Sequence, residues 1–173
     1  MNEALNNILA RRSCKSYRSD PVPEEIIDQI IEAGLYAPSA LNRQTPVILA
    51  VTDPETRNRL SLLNAKYDPF RRPDPFYGAP CVLCVLVPSD EPAGIYDGPL
   101  VMENMMLAAS ALGIGSCWIH RAKEVFEDEE GKAILAEAGL NGAYTGIGNC
   151  IIGYAENMPE GTLPRKENRV YRI

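Results

Sequence analysis

The seven residues Cys81-Val82-Leu83-Cys84-Val85-Leu86-Val87 are apolar without interruption. A run this short, bounded by turn residues, predicts a strand buried on both faces; a strand with one wet face would alternate. Such a strand belongs to a sheet with packing layers over it, and so to a layered domain. The run also decides the meaning of the Cys81-x-x-Cys84 spacing. Strand positions three apart face opposite sides, so the two thiols do not converge on a metal or a redox pair and read as small core hydrophobes. Five cysteines without a repeated pattern in 173 residues do not suggest a disulfide framework.

The remaining segments arrange themselves around that strand. Ala4, Leu5, Ile8 and Leu9 have helical spacing. Asp20-Pro21-Val22-Pro23-Glu24-Glu25 opens a second helix with an acidic first turn and an Ile26, Ile27, Ile30, Ile31 stripe, running to about Tyr36 and stopped by Pro38. Val47 to Val51 predicts a short strand behind Pro46, and Asp53-Pro54-Glu55 caps a helix to about residue 65. Residues 66 to 79 are proline-rich and hold Phe70 and Phe76, the pattern of a long structured loop that covers a site. A helix rich in Ala, Met and Leu follows from Asp97 to Leu112, then a strand at 116–119, an acidic helix at 123–138, a strand at 148–154 and a polar tail. Gly113-Ile114-Gly115 and Gly146-Ile147-Gly148 echo one another, which suggests two central strands begun by similar glycine turns. Four strands and five helices in irregular alternation predict a single α+β domain over 1–173.

Composition narrows the function. A net charge of −6 argues against nucleic acid, which demands a broad basic face. No apolar run approaches the roughly 20 residues needed to cross a bilayer, and Met-Asn-Glu does not begin a signal peptide, so a cytoplasmic location is expected. His120 is the one histidine, and no metal-ligand cluster is expected. There is no G-x-G-x-x-G after a strand, no P-loop and no G-x-S-x-G elbow. An enzyme with this sequence therefore depends on a bound cofactor for its chemistry.

Two local features stand out. Arg11, Ser13 and Lys15 alternate, so in an extended segment they project to one side and supply a guanidinium, a hydroxyl and an ammonium, the donors suited to a phosphate monoester. A solvated basic turn at the end of the first helix explains them as well, and on composition alone has the edge. Ala37-Pro38-Ser39-Ala40-Leu41-Asn42-Arg43-Gln44 concentrates small polar and amide side chains in a turn, as a ligand loop or an ordinary one would.

Taken together, R-R-S-x-K-x-Y at 11–17, A-P-S-A-x-N-x-Q at 37–44, G-I-G-S-C-W-I at 113–119 and L-P-R-K at 163–166 resemble the nitroreductase family of FMN flavoproteins. The segments lie in family order and span essentially the whole chain. The resemblance implies a nitroreductase-like α/β sandwich with a mostly antiparallel sheet flanked by helices, in an interlocked homodimer. It implies that Arg11, Arg12, Ser13 and Lys15 bind the flavin phosphate, ribityl chain and pyrimidine, completed by Arg165 and Lys166. Pro38, Ser39, Ala40, Asn42 and Gln44 would reach the same flavin from the second chain. Trp118, Ile119, His120 and Arg121 would lie beside the redox centre near N5, through backbone groups; Trp118 serves equally as core packing. No catalytic side chain is implied. Hydride would pass from NADH or NADPH through FMN to a small electron-poor acceptor, a nitroaromatic or a quinone, in ping-pong order. The alternatives are a reductive dehalogenase, an enone reductase or a non-catalytic flavin store. Thr45-Pro46 departs from the family's Pro-Trp at that point, and Arg71 and Arg72 are either flavin contacts or solvated loop residues.

Overall fold

A computed structural model describes residues 2–173. The buried run forms strand β2 (Cys81–Pro88) near the middle of a four-stranded sheet. Strand β1 (Val47–Val51) lies on one side of it and β4 (Tyr144–Gly153) on the other, with β3 (Gly115–Ile119) beyond β4; every pairing is antiparallel. Alternate residues of β2 enter two separate cores. Val82, Cys84 and Leu86 face one, and Cys81, Leu83 and Val85 face the other. The two thiols of Cys81-x-x-Cys84 thus diverge, and both are buried.

One face of the sheet is covered by α2 (Glu24–Leu35) and α4 (Gly94–Ala111). Ile27 and Ile30 meet Met102 and Met105 there. The opposite face is covered by α3 (Pro54–Tyr67), α5 (Ala122–Glu127) and α6 (Glu129–Glu137), through Leu60, Leu63, Val125, Phe126 and Ile134. Helix α1 (Glu3–Ala10) lies outside both layers and has no buried residue. Among the described residues no helix is long and apolar enough to cross a membrane.

Three expectations are corrected. The acidic helix over 123–138 is two helices, broken at Asp128, whose extended backbone (ψ 150°) lets its side chain accept the Glu130 N–H as the N-cap of α6. The Asp128 carboxylate also accepts the Tyr67 hydroxyl at 2.6 Å, which pins the break to the end of α3. Strand β3 is an edge strand and not a central one. Its free edge is met by the N-terminal segment, where Ser13 bridges Ser116 in parallel and the Cys14 N–H donates to Ser116 O at 2.9 Å. The two glycine sequences also differ in structure. Gly113 turns the chain before β3 with φ +73°, whereas Gly146 and Gly148 lie inside β4 at a bulge in its pairing with β2. A Cβ on Gly148 would stand 2.6 Å from Trp118 Nε1, so the glycine there makes room for the indole.

Candidate functional site

Segments remote in sequence enclose a cavity of about 310 Å³. Its walls are Ser13 and Lys15, Asn64 of α3, the loop residues Asp68, Pro69, Phe70, Arg72, Pro75 and Tyr77, and Cys117 to Arg121 where β3 ends.

The N-terminal wall follows from the strand pairing. With Cys14 turned inward and buried, Ser13 and Lys15 fall on the outward side and are exposed, as their alternation predicts. Tyr17 anchors the segment, donating its hydroxyl to Cys14 O at 2.9 Å. Lys15 Nζ stands 5.8 Å from the centre of the Tyr77 ring, and among the described residues it forms no ion pair.

The wall at the end of β3 is a strained turn. Arg121 adopts the left-handed conformation, φ +81°, immediately before α5. Its N–H has no hydrogen-bond partner among the described residues, while its guanidinium pairs with Glu124 at 2.8 Å. Asn64, 1% exposed, holds this turn by donating from Nδ2 to His120 O at 2.9 Å. The His120 side chain itself is exposed, its ring 6.1 Å from that of Trp118.

The third wall is the proline-rich segment, fixed at two carboxylates. Arg72 grips Asp68 with Nε to Oδ2 at 2.7 Å and Nη2 to Oδ1 at 2.8 Å, and its third nitrogen reaches the Tyr77 hydroxyl. The Arg72 guanidinium holds the Asp68 carboxyl well below the usual carboxylate range, against the burial that pushes it up. Phe70 lies under the same guanidinium, 4.9 Å from ring centre to Cζ, and remains 77% exposed at the cavity mouth. Further along, Asp74 ties the segment back to Arg57 and Ser61 of α3. Arg72, not Arg71, lines the cavity; Arg71 is exposed with φ +51°.

The residues expected at the site divide into three groups. Ser13, Lys15, Trp118, Ile119, His120 and Arg121 come together in the cavity. Arg11 and Arg12 are not part of its lining. Arg11 Nε lies 3.9 Å from Glu103 of α4, with Nη1 buried and unpartnered, and Arg12 donates to Gly161 O and Leu9 O. Pro38, Ser39, Ala40, Asn42 and Gln44 belong to the α2–α4 layer and line none of the cavity. Arg165 and Lys166 are exposed in the irregular tail and form no ion pair among the described residues. Asn64 and the Asp68–Arg72 clamp have no motif in the sequence. The only signal for the clamp is its i,i+4 spacing, and Asn64 is placed by helix packing alone.

Chemically, the cavity offers aromatic faces and hydrogen-bond donors, but its one carboxylate and its one thiol are not free to react. Asp68 is paired, and burial pushes the Cys117 thiol up despite the Ser13 hydroxyl and Lys15 beside it. Among the described residues no group of three or more His, Cys, Asp or Glu could hold a metal ion. A planar ligand rich in acceptors suits these walls.

Comparison with known proteins agrees with this geometry. A model of the nitroreductase family matches residues 8–70 and 65–154. The FMN reductase [NAD(P)H] of Bacillus subtilis is 41% identical over 63 residues, which is 36% of this chain and 25% of that protein. The NADPH-flavin oxidoreductase of Vibrio harveyi is 29% identical over 133 residues, 69% of this chain and 54% of that protein. The chain thus spans a quarter to about half of these curated relatives. A crystal structure of a nitroreductase with bound FMN from Bacteroides fragilis superposes with a TM-score of 0.88 at 29% identity and covers 100% of both chains. The antiparallel sheet between two helical layers is therefore the fold of that enzyme throughout, and the chain belongs to the nitroreductase family.

Proposed function

We propose that the chain is an FMN-dependent oxidoreductase of the cytoplasm, taking hydride from NADH or NADPH and delivering it to an electron-poor acceptor of the nitroaromatic or quinone type. The observation that carries this reading is the left-handed Arg121 turn, with its unpartnered N–H, at the edge of a cavity walled by Phe70, Tyr77 and Trp118. Aromatic faces and lone donors fit a planar heteroaromatic ring, and Ser13 with the unpaired Lys15 fits a phosphate, ribityl or pyrimidine oxygen. FMN in this cavity supplies the hydride chemistry, which no side chain of the chain could perform.

The residues of the chain bind and orient. Asn64 fixes His120 O and with it the Arg121 N–H, a donor preset for a ring nitrogen as charge develops there. The Asp68–Arg72 clamp keeps the cover in place and limits water. Arg11, whose buried Nη1 lacks an acceptor, and Arg12, Arg165 and Lys166 complete the proposed phosphate site. The site belongs to a homodimer, with Pro38, Ser39, Ala40, Asn42 and Gln44 supplied by the second chain. The exposed stripe Leu5, Ile8 and Leu9 on α1 supports a covered interface.

The test uses Trp118, the sole tryptophan, which lines the cavity. FMN added to apoprotein is expected to quench its emission to a plateau. Anaerobic NADH or NADPH then bleaches the flavin, and a quinone or nitroaromatic restores the colour. With donor and acceptor using one cavity in turn, double-reciprocal plots are parallel. Flavin that binds but does not bleach would leave a store and sink the oxidoreductase reading.

A further inference from the structure

The loop after α2 is held more firmly than an exposed loop requires. Leu41, Asn42 and Gln44 all have positive φ, 53°, 54° and 53°, which side-chain-bearing residues avoid unless their surroundings impose it. The surroundings here are explicit. Ser39 Oγ accepts the Gln44 N–H at 2.9 Å, and Gln44 Nε2 donates to Asn42 Oδ1 at 3.0 Å. Beneath them, both carboxylate oxygens of Asp97 accept the Ala40 N–H at 3.1 Å. Asp97 lies on α4, is 5% exposed and has no cationic partner among the described residues.

A carboxylate buried for one backbone hydrogen bond is a costly device, and an apolar residue would serve the α2–α4 core better. Asp97 lies in the first turn of α4, where its charge suits the helix N-terminus, and among the described residues its side chain's one hydrogen-bond partner is the Ala40 N–H of the loop. Within the chain the loop's shape sets Arg43 Nη1 2.9 Å from Glu91 at the surface, but it leaves Leu41 at the tip 87% exposed, and the loop lines none of the main cavity. We propose that Asp97 is a positioning residue of the flavin site: through the Ala40 N–H it fixes the 39–44 loop in the form that meets FMN held by Ser13 and Lys15 of a second chain. This inference rests on the proposed shared FMN site.

The experiment measures FMN affinity of the dimer by equilibrium dialysis. Asp97→Ala is expected to weaken binding about tenfold or more, and Asp97→Asn, which keeps an oxygen acceptor, to stay within threefold of wild type. Ala40→Pro deletes the same hydrogen bond from the loop side. Extended Ser39 (ψ 155°) accommodates a following proline, so this variant keeps the assay open if Asp97→Ala fails to fold, and a similar loss is expected. A heterodimer of one Asp97→Ala chain and one Lys15→Ala chain then separates positioning from general damage. If Asp97 acts on the partner's flavin, one site is doubly altered and the other intact, so one FMN binds with wild-type affinity. A heterodimer with no intact site, or an Asp97→Ala or Ala40→Pro dimer within twofold of wild type, overturns the positioning role alone. A wild-type protein that binds no FMN overturns the flavin reading as well.

Discussion

Asp74 is the knot of the cover segment, and its removal has a calculable cost. Its carboxylate accepts from Arg57 Nη2 at 2.7 Å, Ser61 Oγ at 2.6 Å, and the N–H groups of Phe76 at 3.0 Å and Gly78 at 2.7 Å. Arg57 is 8% exposed, lies 5.5 Å from the Phe76 ring centre and donates Nε to Ala79 O at 2.9 Å. Asp74→Ala leaves that guanidinium in a nearly closed site with the Ala79 carbonyl and the Asn58 side chain for company. Breaking a buried pair from one side costs about 3–5 kcal/mol. The Asp74 side chain is 34% exposed, so water reaches the gap and the lower end, about 3 kcal/mol, is expected. At roughly 2–4 °C per kcal/mol for a domain of this size, Tm falls by about 6–12 °C. Urea unfolding followed by circular dichroism, with wild type and variant at the same protein concentration, gives the difference in free energy with any mass-action contribution held constant. A double-mutant cycle with Arg57→Met isolates the pair, with an expected coupling of about 2 kcal/mol. A loss below about 1 kcal/mol with no coupling would show that the cover is held at Asp68 alone and refute the reasoning.

Two further perturbations follow from the same structure. Burial pushes the Asp74 carboxyl up, but Arg57, Ser61 and two backbone N–H groups outweigh it and hold it below its ordinary value. The unfolded chain then takes up the proton first, so the stabilisation is full above the unfolded value near 3.9 and is lost as pH falls from there through the folded value. The urea midpoint should drop between about pH 5 and pH 3 more steeply in wild type than in Asp74→Asn, and equal slopes would remove Asp74 from the acid response. Gly148→Ala places a methyl 2.6 Å from Trp118 Nε1. It should displace the indole, shift its emission and cost about 1–3 kcal/mol, whereas an unchanged spectrum would mean that the bulge yields instead.

What could be read from the sequence was what depends on local pattern. The Cys81–Val87 run fixes a two-sided strand because no other element buries seven consecutive apolar residues so cheaply, and the two cores follow from its alternation. Ser13 and Lys15 share a side for the same period-two reason. What could not be read depends on where the chain meets itself. The break at Asp128 carries an N-cap signal, Asp-Glu-Glu, but an acidic helix interior looks alike until Tyr67 is seen to hold it open. The position of β3 at the edge is decided by which strand β4 pairs with next, and nothing in five residues specifies that. Asn64 and Arg121 act through a carbonyl and an N–H, and backbone groups leave no trace in side-chain motifs.

The arrangement of the motif segments bears on the proposed assembly. In one chain, the Ser13–Lys15 segment and the end of β3 open onto the α3 side of the sheet, where Asn64 lines the cavity. The Pro38–Gln44 loop is fastened to α4, behind the opposite face. A sheet packed on both sides, with Leu83, Leu86 and Ile152 wholly buried, leaves no passage by which one flavin could touch both within a chain. Either the loop binds no flavin, or it binds the flavin of another chain. The second is the arrangement proposed above, and the three left-handed residues held over the Asp97 carboxylate are the form in which the loop would be presented. The proposed sharing of the site would then follow from burying β2 on both faces: the strand that stabilises the fold also separates the Ser13–Lys15 segment from the Pro38–Gln44 loop, and a second chain is the arrangement that would bring such segments to one flavin.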